Sequence, residues 1–225
     1  MGPLTKLFIN TNTDIEYAHD TIQKYVNKTG YKGFIMVNIN NKIIIDIETK
    51  YIHQKFNDYD VFISAQSFQQ NHITISKQIR TYVKRLIKDI NDITCIGGES
   101  YLYGLTSNIT KIFAYTNSSS IINDILYNYA FYKKILSANL CDYNNIEFIE
   151  PSNTCLINLS NLNSHLMKII NDTKFKNIII INCHHNDFWK KYKLLSNYKI
   201  ITRYKFISCL LGYFITVTNM RNKYI

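Results

Sequence analysis

The feature that most constrains the fold is an alternation of short apolar runs with amphipathic stretches, which begins near residue 73 and continues to the end of the chain. Residues 73–90 repeat apolar side chains every three or four positions, which predicts a helix. Residues 93–98 then form a short apolar run that ends in two glycines, which predicts a buried strand. Such alternation predicts an α/β fold with a doubly wound, mostly parallel sheet.

The later segments continue the pattern. Predicted helices cover residues 118–136, 164–172 and 187–195. Residues 177–182 are almost entirely isoleucine, which is typical of a strand buried on both faces. The remaining predicted strands are 111–115, 146–150, 154–159, and a closing pair, 199–206 and 212–220, that suits an antiparallel end of the sheet.

A smaller element is predicted before this domain. Residues 14–28 have helical spacing, with Asp14 as a possible N-cap. A hairpin is predicted around Asn40 and Asn41, and a further strand at residues 60–65. We therefore divide the chain into residues 1–65, a helix and hairpin packed on the main domain, and residues 66–225, the α/β domain.

Composition narrows the functional classes. The net charge is +10, from 26 basic and 16 acidic residues, which favours polyanionic partners such as RNA or else a lysine-rich solvated surface. The five cysteines include no CxxC pair, so no metal site is predicted, and their odd number suggests an intracellular, non-secreted protein. No apolar run is long enough to predict a membrane span. The abundance of Asn, Ile, Lys and Tyr suggests an AT-rich genome, such as that of a giant virus or an organelle.

In a doubly wound sheet, ligands bind beyond the carboxyl ends of the strands. Three predicted strands end there in chemically distinctive pairs: Gly97–Gly98, Tyr115–Thr116 and Asn182–Cys183. These pairs are the candidate binding residues that the pattern alone provides.

The order of segments is more specific. A Ser67-Phe68-x-Gln70 segment precedes a helix, a strand with a glycine pair follows, a cysteine ends a late strand, and a strand pair closes the chain. This order resembles the catalytic domain of the RNA uracil-5-methyltransferases. The resemblance implies a Rossmann-like class I methyltransferase domain, S-adenosylmethionine as cofactor and RNA as substrate. It also implies that Gln70 contacts the cofactor, together with Gly97, Gly98, Thr116 and Asn158.

The same resemblance exposes departures from the family pattern. Thr94 and Ser100 replace an acid and a glycine of the cofactor loop, and Tyr115 or Thr116 replaces the ribose-binding acid. Asn158 begins the segment that replaces an Asp-Pro-Pro-Arg turn, and Ile215 occupies the position of the catalytic base. An isoleucine cannot accept a proton, so the resemblance implies a domain that has lost much of its catalytic equipment.

Cys183 occupies the nucleophile position of the family, followed by His184 and His185. A thiolate must add to C6 of uracil before C5 can attack a methyl group, and a nearby imidazolium would favour that thiolate. The alternative, which we favour, is that Cys183 is a small apolar residue at a strand end and that the two histidines lie on the surface.

RNA binding is predicted from clusters that combine cations with aromatic residues. The alternatives are solvated helix faces or a protein interface. The candidate residues are Lys84, Arg85, Lys88, Trp189, Lys190, Lys191 and Arg203.

Three functional hypotheses follow. The first is a catalytically inactive methyltransferase-like module that binds RNA or a protein partner. The second is an active, divergent RNA uracil-5-methyltransferase that uses Cys183. The third is a structural subunit of a viral or organellar ribonucleoprotein.

Overall fold

The computed structural model describes part of the chain. The described residues are 6–11, 20, 24, 28, 34–39, 42–45, 52–56, 59–64, 67, 73–105, 108–133, 135–159, 163–183, 193–207 and 214–224. Contacts divide the chain into two compact units. One comprises residues 1–55 and 60–66, and the other comprises residues 56–59 and 67–225. The role of residues 1–65 as an accessory element remains a prediction.

The N-terminal strands include the predicted hairpin. β2 (Phe34–Ile39) and β3 (Lys42–Ile45) pair antiparallel on either side of Asn40 and Asn41. β1 (Lys6–Thr11), which the sequence did not predict, pairs parallel to β2. β4 (Ile52–Phe56) and β5 (Tyr59–Ile63) form a two-stranded sheet that includes the strand expected at 60–65. Of the predicted helix 14–28, residues 20, 24 and 28 are described, and they are helical and exposed.

The described residues of the main domain form a seven-stranded sheet in the order β11-β12-β10-β9-β6-β7-β8. Of these strands, β12 alone runs opposite to the rest. This confirms the predicted mostly parallel sheet with an antiparallel C-terminal strand. The strands are β6 (Asp92–Ile96), β7 (Lys111–Thr116), β8 (Ile135–Leu140), β9 (Thr154–Asn158), β10 (Asn177–Cys183), β11 (Tyr198–Ile207) and β12 (Phe214–Asn222).

Four helices are described: α1 (Ile73–Leu86), α2 (Ser100–Leu105), α3 (Ser119–Tyr132) and α4 (Ser164–Asp172). α1 buries Ile75, Ile79 and Val83, which share one face because they are four residues apart. α2 is buried along its whole length. α4 begins where predicted because the Asn163 side chain accepts a hydrogen bond from the Leu166 amide.

Two predictions between α3 and β9 were wrong. The predicted helix 118–136 ends at Tyr132, because Lys133 adopts a left-handed conformation (φ 52°), and Ile135–Leu140 forms β8. The predicted strand 146–150 is irregular. Its polar groups bond to side chains instead of a neighbouring strand: the Glu150 amide donates to the Tyr115 hydroxyl, and its carbonyl accepts from Thr94.

The segment between β8 and β9 shapes one side of the sheet. Over residues 141–153, all of which the structure describes, the chain contains no helix. Three of its side chains, Tyr143, Ile146 and Ile149, are buried in the same apolar cluster as Met167 and Ile170 of α4. An irregular segment therefore covers sheet area that a helix could have covered.

No helix in the described part of the chain is long and apolar enough to cross a membrane.

Candidate functional site

The centre of the sheet is the point at which the strand order reverses. β6 pairs with β7 on one side and with β9 on the other, and the chain reaches β9 only after passing through β7 and β8. In open α/β sheets, ligands bind outside the carboxyl ends of the strands at such a reversal. We call this part of the sheet the carboxyl edge. Gly97, Thr116 and Asn158, all predicted cofactor-binding residues, lie on it.

A tight glycine turn connects β6 to α2. Gly97 and Gly98 have φ angles of 73° and 46°, a region that favours glycine. The Gly97 amide donates to the Tyr115 carbonyl (2.8 Å), and the Gly97 carbonyl accepts from the Ser100 amide (3.2 Å) and hydroxyl. The turn is therefore fixed by bonds to β7 and to the first residue of α2.

The end of β9 lies directly against this turn. A β-carbon on Gly97 would overlap the Leu159 side chain, and one on Gly98 would lie 2.9 Å from the Asn158 carbonyl oxygen. The Asn158 side-chain carbon would be 3.3 Å from the same position on Gly98. The close backbone approach that requires glycine at this turn is thus made to the chain itself.

The end of β7 offers a hydroxyl that already has a partner. Thr116 is 1% exposed, and its hydroxyl accepts a hydrogen bond from the Ser118 amide (3.2 Å). The Tyr115 ring packs in the apolar cluster on one face of the sheet, and its hydroxyl accepts from Glu150. Burial raises the pKa of the Tyr115 hydroxyl above its usual value. Neither residue presents the carboxylate that would accept hydrogen bonds from both ribose hydroxyls.

The residue after the glycine pair forms a buried ion pair that the sequence analysis missed. Glu99 is 4% exposed, and its carboxylate lies 3.9 Å from the Arg80 guanidinium of α1. The Arg80 guanidinium also lies 4.0 Å from the centre of the Phe56 ring. Burial, with a contribution from Glu99 that Arg80 opposes, raises the pKa of Tyr103 well above its usual value. The signal in the sequence was an arginine beside the apolar face of α1, because a charge there needs a buried partner.

β10 ends at the predicted nucleophile, Cys183. Its backbone is paired with Ile215 of β12, a fully buried residue. The positions that the resemblance gives to nucleophile and base are therefore cross-strand neighbours. The side chain of Cys183, the residues His184 and His185, and the predicted cofactor residue Gln70 lie outside the described part of the structure.

The three thiols whose surroundings are described are poorly suited to nucleophilic chemistry. Cys95 and Cys155 are fully buried, and desolvation raises the pKa of both well above the usual value. Burial, assisted by Asp142, raises the pKa of Cys141 to about 11. A thiolate is scarce at neutral pH under these conditions.

A buried polar stripe runs between β10 and β12. Asn182 is paired with Thr216, and Ile180 with Thr218, so the three polar side chains share one face of the sheet. All three are at most 5% exposed. Within the described chain, Asn182 Oδ1 and Thr218 Oγ1 have no hydrogen-bond partner.

The predicted RNA-binding residues are only partly described. Lys84, Arg85 and Lys88 are exposed on or just after α1, and Arg203 is exposed on β11. Trp189, Lys190 and Lys191 fall outside the described residues. The described residues contain no cluster of three or more His, Cys, Asp or Glu side chains that could hold a metal ion.

No protein-family model matches the chain, and no curated protein matches it. Solved structures do. The tRNA (uracil-54, C5)-methyltransferase of Pyrococcus abyssi, in complex with S-adenosyl-L-homocysteine, has a TM-score of 0.66 at 15% identity, over 85% of this chain and 52% of that one. The tRNA m1G37 methyltransferase of M. jannaschii has a TM-score of 0.66 at 13% identity, over 96% and 72%. A complex of aTrm5 with tRNALeu has a TM-score of 0.67 at 11% identity, over 98% and 71%.

The fold is that of a Rossmann-like methyltransferase. At these identities the likeness is one of fold, and it extends to several tRNA methyltransferases besides the uracil-5 enzyme. This chain spans about half the length of the uracil-54 enzyme and about 70% of the other two. The glycine turn, Thr116 and Asn158 lie together at the edge where open α/β sheets bind their ligands.

Proposed function

We propose that this protein is an RNA-binding module built on a methyltransferase fold, and that it does not transfer methyl groups. The observation that carries the proposal is the cover over the glycine turn. Leu159 and Asn158 occupy the space beside Gly97 and Gly98. A cofactor that approaches that backbone from the side on which a β-carbon would lie would have to displace them.

Two further features support the inactive part of the proposal. The Thr116 hydroxyl is buried and bonded to Ser118, so it is a poor substitute for the ribose-binding acid. Ile215, at the position of the base, is apolar and fully buried. The described residues therefore do not fit S-adenosylmethionine in the manner that the family resemblance implies.

The RNA-binding part of the proposal rests on the net charge and on the proteins that have a similar fold. The chain carries a net charge of +10, and phosphate contacts supply most non-specific affinity for nucleic acids. Two of the proteins with similar structures are tRNA methyltransferases, and a third is bound to tRNALeu. We infer that this chain also takes RNA as its partner.

Calorimetry with S-adenosylmethionine and with S-adenosylhomocysteine tests the first part. We expect no binding to the wild-type protein at micromolar concentrations. Leu159→Ala removes the side chain that covers Gly97 and is the matched variant in which affinity should increase. Micromolar affinity of the wild-type protein would contradict the proposal.

Anisotropy with a labelled single-stranded RNA, measured over a range of salt concentrations, tests the second part. The slope of log affinity against log salt should be roughly −0.7 for each phosphate contacted. Affinity that is independent of salt would instead indicate a protein partner.

An active uracil-5-methyltransferase is the second candidate. It is favoured by the end of β10 at Cys183 and by the likeness to the uracil-54 enzyme. RNA that contains 5-fluorouridine would trap such an enzyme, since fluorine at C5 cannot leave as a proton does. A covalent adduct on a denaturing gel that requires S-adenosylmethionine and disappears in Cys183→Ala would support this candidate over the first.

A further inference from the structure

The outermost strand of the main sheet is long and unusually exposed. β11 occupies one end of the described strand order. From Lys199 to Lys205 every residue is exposed, and the Tyr204 side chain is 53% exposed. Ile200, Ile201 and Ile207 of the same strand are also exposed, and grouped exposed apolar side chains often mark a binding surface.

The Tyr204 ring is held in place by two other rings. The centre of the Tyr82 ring, on α1, lies 5.3 Å from that of Tyr204, with the planes tilted by 33°. The Phe206 ring lies 4.8 Å from Tyr204 and is itself 4% exposed. The Tyr82 hydroxyl is hydrogen-bonded to the Thr202 hydroxyl (2.9 Å), which fixes α1 to β11. Tyr204 is therefore a supported ring with an exposed surface.

The charged residues that α1 and β11 contribute near this ring are all basic. Neither segment contains an acidic residue. Arg85 lies three residues after Tyr82, on the same side of the helix. Arg203 and Lys205 flank Tyr204 and project to the opposite face of the strand, since side chains alternate. We define the β11 surface as the residues on the Tyr204 side, which are Tyr82, Arg85 and Tyr204.

We propose that the β11 surface is a base-stacking site for single-stranded RNA, in which Tyr204 stacks on a base while Arg85, on the same side, neutralises a phosphate. The inference rests on the proposed RNA-binding function and assigns it a place. Rigid aromatic rings beside cations are the usual means of holding unpaired bases, and stacking tolerates any base.

The same strand is poorly suited to pairing with another protein strand. Its register with β12 shifts between Ile200 and Thr202, so the edge is irregular. Basic residues occupy positions 199, 203 and 205 of the strand. Irregularity and charge are the features that discourage edge-to-edge association. A nucleic acid, which carries the complementary charge, is the partner that the surface fits.

The test is anisotropy of a labelled oligouridine with the full chain. Tyr204→Ala should weaken binding about five- to 100-fold, the range for the loss of one stacked base, with little change in the salt slope. Tyr204→Phe keeps the ring and should bind like the wild type. Arg85→Ala should weaken binding and reduce the salt slope by about 0.7.

The matched control is Tyr127→Ala. Tyr127 is 45% exposed on α3, which packs against β7 and β8 at the other end of the sheet. This variant should bind RNA like the wild type. If it weakens binding as much as Tyr204→Ala does, the effect is not specific to the β11 surface and the inference fails.

The remaining outcomes separate the inference from the function on which it rests. Wild-type protein that binds RNA, with Tyr204→Ala unchanged, would overturn the β11 surface and leave the proposed function standing. Wild-type protein that does not bind RNA would overturn both. A Tyr204→Ala variant that alters self-association in ultracentrifugation but keeps its RNA affinity would identify an interface between copies and overturn the inference.

Discussion

At the scale of single residues, three described positions have a left-handed backbone, and they differ in what a side chain would contact. At Gly97 and Gly98 the space for a β-carbon is occupied by the end of β9. At Lys133, which is exposed at the end of α3, the side chain is tolerated and only the backbone conformation is unfavourable. A left-handed backbone therefore leaves no room for a side chain at the glycine turn but leaves room for one at Lys133.

This contrast predicts opposite effects of exchanging glycine and a larger residue. Lys133→Gly should raise the free energy of unfolding by about 0.5–1 kcal/mol, because glycine adopts this conformation without strain. Gly98→Ala should lower it by more than about 1 kcal/mol, because strain and the contact with Asn158 add. Urea unfolding measures both, and equal effects of the same sign would contradict the assignment.

A second residue-scale prediction concerns the polar stripe. Thr218 is fully buried with a hydroxyl that no described group satisfies. Thr218→Val should therefore raise the free energy of unfolding by about 1 kcal/mol, since an unsatisfied buried hydroxyl is removed without loss of volume. A lower free energy would mean that the hydroxyl bonds to a buried water.

Thr94→Val is the matched control for this substitution. Thr94 is equally buried, but its hydroxyl bonds to the Glu150 carbonyl and the Ser152 hydroxyl, both at 2.9 Å. Its replacement should destabilise the protein by about 1–3 kcal/mol, because two buried polar groups lose a partner.

At the scale of elements, α3, which follows β7, and α4, which follows β9, begin differently. The Asn163 side chain accepts from the Leu166 amide (2.7 Å) at the start of α4, and it donates to the Tyr143 carbonyl (3.0 Å). Ser118, at the start of α3, makes no side-chain cap bond. One helix start is held by a side chain and the other is not.

Asn163→Ala should therefore cost about 0.5–2 kcal/mol of unfolding free energy, while Ser118→Ala should cost much less. Thermal unfolding followed by circular dichroism compares the two variants. If both variants melt alike, the cap at Asn163 does not stabilise α4 as the hydrogen bonds suggest.

The elements also show how far a sequence pattern reaches. α4 and the all-isoleucine strand β10 were predicted well, because a cap or an uninterrupted apolar run marks each of them. The sequence pattern did not reveal β8, because Ile135 and Leu136 continue the apolar spacing of α3 and no glycine marks the turn at Lys133. The pattern at 146–150 misled because Ile146 and Ile149 are buried without a partner strand.

The candidate site divides in the same way. Gly97, Thr116 and Asn158 could be placed on one edge in advance, because parallel strands end together. The sequence did not reveal that Leu159 packs against the glycine turn or that Arg80 pairs with Glu99. Both contacts depend on how closely distant segments pack.

At the scale of the whole molecule, buried thiol and phenol groups stay protonated in the folded state. They make the free energy of unfolding fall as pH rises through the alkaline range. Burial raises the pKa of Cys141 from 9.0 to about 11 and that of Tyr198 from 10.0 to about 12. Between these values the unfolded chain has released protons that the folded chain still holds, so the free energy of unfolding falls as pH rises. Stability from both groups is complete below pH 9 and is lost by about pH 12.

The midpoint of urea unfolding, measured from pH 8 to above pH 11, should therefore decline from about pH 9 upward. Cys141→Ala should make the decline between about pH 9 and pH 11 shallower, while the buried thiols of Cys95 and Cys155 keep its start near pH 9. Tyr198→Phe should reduce the slope above pH 10, although it also removes the bond from Tyr198 to the Thr173 carbonyl. Profiles of the variants that parallel the wild type would exclude these two groups as the cause.

The helix-free crossover between β8 and β9 has a consequence for hydrogen exchange. The amides of Asn144, Glu150 and Asn153 donate in turn to Asp142, to the Tyr115 hydroxyl and to Asp92. In a helix, neighbouring amides are protected by one cooperative ladder and exchange together. Here each amide is protected by a different side chain, so each should become labelled with deuterium at its own rate, and Tyr115→Phe should speed the labelling of Glu150 while leaving that of Asn144 unchanged.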